Sequence, residues 1–237
     1  MINIFVMGFN EEIILPFMIE HYQTRFPQCH ITFFDNDSTD KTVEIARNQK
    51  CEIVRFDSGG KIDDNKMLDL KNNCWKNQKY NNYNWSLICD PDELLDINEE
   101  QLKLEEANGT TIIKPKAYNM INMEDNYELH NIKYGIRADN YDKAYLFNSK
   151  LVSDIGYNHG CHQHSPKGQI KYNEKEYLLY HYKFINPDWL VERTKYTYNR
   201  LSDINKKMGW GTQWHITEEK LRTDFQEQRR MAIKVRQ

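Results

Sequence analysis

Three carboxylates crowd one short stretch, Cys89-Asp90-Pro91-Asp92-Glu93. Two aspartates separated by one residue can both turn toward one hard cation, which takes oxygen ligands. Mg²⁺ and Mn²⁺ in such settings usually bridge to phosphate oxygens. The residues just before, Trp85, Leu87, Ile88 and Cys89, are apolar enough for a strand covered on both faces. Asp90 and Asp92 then emerge at its C-terminal end, where ligands bind in open α/β sheets. The same letters also spell a helix start, with Asp90 as cap, Pro91 first and acids in the first turn.

A second polar group is Asp35-Asn36-Asp37-Ser38-Thr39-Asp40. Ser38 and its acids suit a helix cap. Asp35 and Asn36 precede that cap, and a carboxylate or amide there can bond a nucleobase edge or a ribose hydroxyl. His159, Cys161, His162 and His164 lie close together between Gly156 and Gly168. Their spacing lacks the paired ligands of a structural zinc site. Three readings stand: zinc ligands despite that spacing, surface-loop residues, or substrate contacts. In the last case His162 or His164 is an imidazole able to accept a proton near neutral pH.

These groups need elements to position them. Ile2 to Met7, Cys29 to Phe34, Cys51 to Phe56 and Trp85 to Cys89 read as strands. Asn10-Glu11-Glu12 opens a helix through Ile13, Phe17 and Tyr22, with Pro16 near its start. Helices also follow the second and third strands, so we expect repeats of strand, polar loop and helix through the fourth. Such alternation implies a mostly parallel sheet with right-handed crossovers. Its polar loops gather on one edge. Neither a G-x-G-x-x-G nor a G-x-x-x-x-G-K-[ST] pattern occurs, against a dinucleotide fingerprint and a P-loop.

After residue 97 the pattern changes. A polar helix over 98–107 leads to strands over 110–123, then to a turn-rich stretch, 124–142, of lid-like length. Strands follow at Lys143–Phe147 and Tyr177–Tyr182, then one helix over Pro187–Ile204 and a basic amphipathic helix over 217–235. Three units are expected: a nucleotide-sugar half (1–97), an acceptor half (98–186) and a helical extension (187–237).

The order Asn10-Glu11-Glu12, Asp-Asn-x-Ser-Thr-Asp and Asp-x-Asp-Glu resembles the GT-A glycosyltransferases of the family 2-like kind. Phe56-Asp57-Ser58-Gly59-Gly60-Lys61, Lys71-Asn72-x-x-Trp75-Lys76 and Gly160-Cys161-His162 resemble a subset whose acidic motif reads Cys-Asp-x-Asp-Glu. The likeness covers most of residues 1–97 and continues more weakly to about residue 215. It implies a GT-A, Rossmann-like α/β fold with a smaller mixed sheet. It implies a nucleotide-diphosphate sugar donor, UDP-linked, and a hydroxyl acceptor on a glycan or related molecule. By that likeness Asn10, Glu11, Asp35, Asn36, Asp37, Lys66, Asp90 and Lys183 contact the donor. Asp90, Asp92 and His181 would hold Mn²⁺ or Mg²⁺, and Lys183 would face the leaving diphosphate. For His181 and Lys183 the ordinary alternatives are a core histidine and a solvated lysine. The acceptor's base is left open among His162, His164 and Asp142; the Glu-Asp pair of well-studied family members is not clear here, so inversion is not assured. Rivals are a non-catalytic carbohydrate- or nucleotide-binding protein, and a sugar nucleotidyltransferase, whose glycine-rich loop after strand one is missing. Both acids paired with arginines in place of a cation would overturn the enzymatic reading.

Composition narrows the partners. A net charge of -3 gives no basic field for nucleic acid, and 13% aromatics argue against disorder. The five scattered cysteines suggest free thiols in a reducing, cytoplasmic setting. No apolar run approaches the roughly 20 residues of a membrane span. The basic C-terminal helix is read as a solvated face, with an oligomer contact or a hold on an anionic membrane as alternatives.

Overall fold

Three strand–helix units open the chain, and the fourth breaks the rhythm. The structure, a computed structural model, describes residues 2–236. The units are β1 (Ile2–Gly8) with α1 (Leu15–Arg25), β2 (His30–Asp35) with α2 (Thr42–Asn48), and β3 (Glu52–Arg55) with α3 (Asp64–Asn73). Pro16 sits in the first turn of α1, where its missing N–H costs nothing. Asp63 caps α3 by accepting from the N–H groups of Asn65 and Lys66.

β4 (Trp85–Cys89) is followed by β5 (Glu93–Asp96), where a helix had been expected. The helix-start reading of Asp90-Pro91-Asp92 is thereby replaced. Leu94 and Leu95 are both buried, and Glu93–Asp96 pairs antiparallel with a later strand, so packing overrides the local helix signal. Next come α4 (Glu99–Ala107), β6 (Ile112–Ile113), β7 (Lys116–Ile121), β8 (Tyr134–Arg137), β9 (Leu146–Asn148), β10 (Val152–Asp154), β11 (Lys167–Gly168) and β12 (Leu178–Phe184). The turn-rich stretch therefore carries a strand, β8, paired with β7.

The single helix expected over Pro187–Ile204 is two, α5 (Pro187–Asn199) and α6 (Asp203–Met208). Ser202 caps the second and Gly209, in the left-handed region, ends it. α7 (Glu218–Met231) stops before a two-residue strand, β13 (Ile233–Lys234).

The strands form a six-stranded sheet in the order β3-β2-β1-β4-β9-β6, a five-stranded sheet in the order β13-β8-β7-β12-β5, and the β10–β11 pair. β3, β2, β1 and β4 are mutually parallel. The fold is thus the expected α/β class, a mostly parallel central sheet with a smaller mixed sheet beside it. β1 shows why its run is continuously apolar. Ile2, Ile4 and Val6 enter one core cluster, while Phe5 and Met7 enter another on the opposite face. Gly8 pairs with Asp35 and Val6 with Cys89, so the ends of β1, β2 and β4 lie level on one edge.

Candidate active site

The level edge gathers acids and answers each with a cation. Glu11 follows β1 and its side chain is buried beside Gly8, where a Cβ would lie 3.1 Å from Glu11 Cγ and 2.9 Å from the Phe33 ring. Arg193, from α5, donates to Glu11 Oε2 at 2.6 Å and to Asp92 Oδ2 at 3.2 Å. Its guanidinium also lies 4.9 Å from the centre of the Trp189 ring. Lys71, buried on α3, donates to Asp90 Oδ1 at 2.7 Å. Lys143 and Glu93, both buried, pair at 2.8 Å. Four carboxylates thus face three permanent cations, with Arg193 serving both Glu11 and Asp92.

These neighbours set the protonation states. Burial raises the Glu11 carboxyl to about 7 against the pull of Arg193. Burial acts the same way on Asp92, but Arg193 and His181 outweigh it and hold that carboxyl well below the usual range. Desolvation also raises Asp90, and Lys71 with Lys143 more than offsets it. Lys71 loses by burial and gains more from Asp90, so its ammonium is held firmly charged.

His181, central in β12, projects toward the same acids. Its Nδ1 lies 2.7 Å from Asn119 Oδ1, and an amide oxygen only accepts. Nδ1 therefore carries a proton, and Nε2 faces Asp92 Oδ2 at 3.7 Å. That orientation, with the far nitrogen fixed by a second group, is the one a metal-binding imidazole adopts. Asp92 and His181 thus fit a divalent cation. Asp90 does not join them, because Lys71 holds it, and among the described residues no group of three His, Cys, Asp or Glu converges on one point.

The remaining sequence candidates divide. Asn10 is a brace: its Oδ1 accepts from Thr39 N at 2.8 Å and its Nδ2 donates to Thr39 Oγ1 at 3.2 Å. Asn36 is committed too. It donates to Phe56 O at 2.8 Å and Ser58 Oγ at 2.7 Å, and accepts from Arg200 at 2.6 Å. Asp37 points to Arg55 at 2.8 Å. Asp35 accepts from Ser38 N at 3.2 Å through one oxygen. Lys66 reaches only the Asp57 carbonyl, at 3.4 Å. Lys183 is exposed; desolvation lowers its pKa, with Asp92 and Asp224 acting against that.

The three base candidates also differ. Asp142 is held by both arms of Arg137 and accepts from Ala117 N at 2.8 Å, so it fastens the edge of β7. His164 lies 3.2 Å from the Tyr172 hydroxyl. His162 Nδ1 lies 2.7 Å from the Asn140 carbonyl, which leaves its Nε2 lone pair free. Its ring meets Tyr141 edge-on at 5.2 Å, and Tyr141 stacks on His181 at 4.2 Å. Burial and Lys143 lower its pKa, which keeps it neutral near pH 7.

Sequence reading did not place Arg193, Lys143 or Tyr141 in this cluster. Lys71 carried a faint signal, because it stands in the Lys71-Asn72-x-x-Trp75 stretch. Its neighbours explain that pattern: Asn72 bonds the backbone N and O of Tyr157 at 2.9 and 3.0 Å, and Trp75 packs on Phe147 at 4.9 Å.

No protein-family model matches the chain, and no curated protein matches it in sequence. Among solved structures it is similar to TarS of S. aureus, at 14% identity and TM-score 0.48 over 83% of this chain and 38% of that one. This chain thus spans well under half of that protein. A shorter piece of TarS, residues 1–349 in complex with UDP, aligns at 11% identity and TM-score 0.48, over 94% of this chain and 70% of that one. A glucosyl-3-phosphoglycerate synthase of Mycobacterium tuberculosis, in complex with Mn²⁺, UDP and its product, aligns at 17% identity and TM-score 0.32, over 50% and 43%.

Proposed function

We propose that this protein is a GT-A type glycosyltransferase that moves a sugar from a nucleotide-diphosphate donor, UDP-linked, to a hydroxyl of a glycan or related acceptor. One observation carries the reading. Glu11, the Asp90–Asp92 turn and His181, from three separate segments, meet beside the level ends of parallel strands, with Arg193 from a fourth among them. That edge is where an α/β sheet binds its ligand.

Breaking the bond between the sugar carbon and the phosphate oxygen leaves negative charge on the diphosphate. Arg193 and the exposed Lys183 are the cations placed to meet it. Asp35 stands at the end of β2 for the nucleoside. Asn10 and Asn36 act by holding the loops around it. His162, neutral and with Nε2 unbonded, is the group to take the acceptor's proton. Asp92 and His181 would hold Mn²⁺ or Mg²⁺, which when bound supplies Lewis-acid stabilisation of the diphosphate.

The pairing of Asp90 with Lys71 and of Asp92 with Arg193 favours a second reading, a non-catalytic carbohydrate- or nucleotide-binding protein of the same fold. Titration calorimetry with UDP and GDP, with and without Mn²⁺, followed by a screen for sugar-nucleotide hydrolysis, separates them. Diphosphate binding with slow hydrolysis of one donor supports the transferase. Tight sugar binding without hydrolysis of any donor supports the module.

A further inference from the structure

We infer that Arg193 is a built-in counter-ion that closes the cation site at Asp92 until it is moved aside. Three contacts lead there. Asp92 Oδ2, the oxygen that faces Nε2 of His181 at 3.7 Å, is the same oxygen that takes the N–H of Arg193 at 3.2 Å. The guanidinium therefore stands where a divalent ion shared by Asp92 and His181 would have to come. Arg193 is also anchored independently, by Glu11 at 2.6 Å and over the Trp189 ring at 4.9 Å. It thus has a resting place beside Asp92 that does not depend on Asp92 itself. Finally, Arg193 belongs to α5, outside both sheets, so its side chain can leave Asp92 without any strand moving.

A cation and a guanidinium on one carboxylate oxygen exclude each other by charge and by space. The free protein should accordingly bind divalent ions poorly at this edge, and loss of the guanidinium should uncover a site already shaped by His181 and Asn119. The inference concerns the cation alone and is tested without nucleotide, so its failure is separate from failure of the donor reading.

The experiment is Mn²⁺ titration of the nucleotide-free full chain, followed by the electron paramagnetic resonance of free Mn²⁺. Arg193→Met is expected to bind at least tenfold more tightly than the wild type, and Arg193→Met/Asp92→Asn to lose that gain. Because Arg193→Met leaves Glu11 buried without a partner, Glu11→Gln and Glu11→Gln/Arg193→Met form a parallel pair that removes that charge, with the same tenfold difference expected. Melting curves confirm that the compared proteins are folded. Equal affinity in wild type and both arginine variants overturns the inference, and so does a gain that survives Asp92→Asn.

Discussion

Tyr141 lies flat against His181, with ring centres 4.2 Å apart and planes 29° apart, and makes an edge-to-face contact with His162 at 5.2 Å. One tyrosine therefore joins the histidine that faces Asp92 to the histidine proposed to receive the acceptor's proton. The hydroxyl is not needed for this; the ring is. Tyr141→Phe should keep donor hydrolysis within about twofold of wild type, and Tyr141→Ala should lower it about tenfold by loosening both imidazoles. Initial-rate measurements on the nucleotide sugar that the protein hydrolyses check this. Equal rates in both variants would remove the stack from the mechanism.

The pH profile should distinguish His162 from Asp142. A base must be unprotonated, and burial with Lys143 lowers the pKa of His162 below its ordinary 6.5. Transfer to an acceptor should hold steady above pH 7 and fall as pH drops below that lowered value. His162→Gln should remove this acid limb along with most of the rate. Asp142→Asn, which breaks the fastening to Arg137, should lower thermal stability and leave the limb in place.

Lys143 and Glu93 form a pair with almost no solvent contact, their side chains 5% and 2% exposed. Removing one partner leaves a buried charge alone. Lys143→Met should therefore cost about 3–5 kcal/mol in urea unfolding. Replacing both, Glu93→Gln with Lys143→Met, should recover most of that loss. A double variant no more stable than the single one would show that the lysine acts through packing alone.

His21 gives a stability prediction away from the site. It is buried, its Nε2 lies 2.9 Å from the Leu95 carbonyl, and desolvation together with Arg25 lowers its pKa to about 3. The unfolded chain takes up this proton near pH 6.5 and the folded one does not. The histidine's contribution is complete above pH 6.5 and is lost as pH falls toward 3. Between pH 7 and pH 5 that loss is roughly 2 kcal/mol. His21→Gln should flatten this part of the melting-temperature profile relative to wild type.

Much of this arrangement is legible in the chain. Trp85–Cys89 is read as a strand from its apolar run alone, and the strands before it shift by no more than a residue or so at each end. The edge that collects Glu11, Asp90 and Asp92 follows from the strand–loop–helix order. What escapes has identifiable causes. β5 contradicts its local signal because Glu93–Asp96 is stabilised by pairing with β12, 82 or more residues away, which no window of sequence contains. Arg193 looks like any charged residue on an amphipathic helix until Glu11, 182 residues earlier, is folded against it. The basic face of α7 is likewise not wholly solvated. Arg229 bonds the carbonyls of Asn122 and Glu124 and the Asp125 carboxylate, at 2.8, 3.0 and 2.6 Å, and so caps the turn after β7. No helix among the described residues is long and apolar enough to cross a membrane. All five cysteines are free thiols.

β4 lies in one sheet and β5 in the other, with only Asp90, Pro91 and Asp92 between them. The acidic turn is thus a suture, and both halves of the molecule pull on it. An added residue there that slipped β5 by one position against β12 would turn every side chain of Glu93–Asp96 to the wrong face, and the fold would break before the chemistry did.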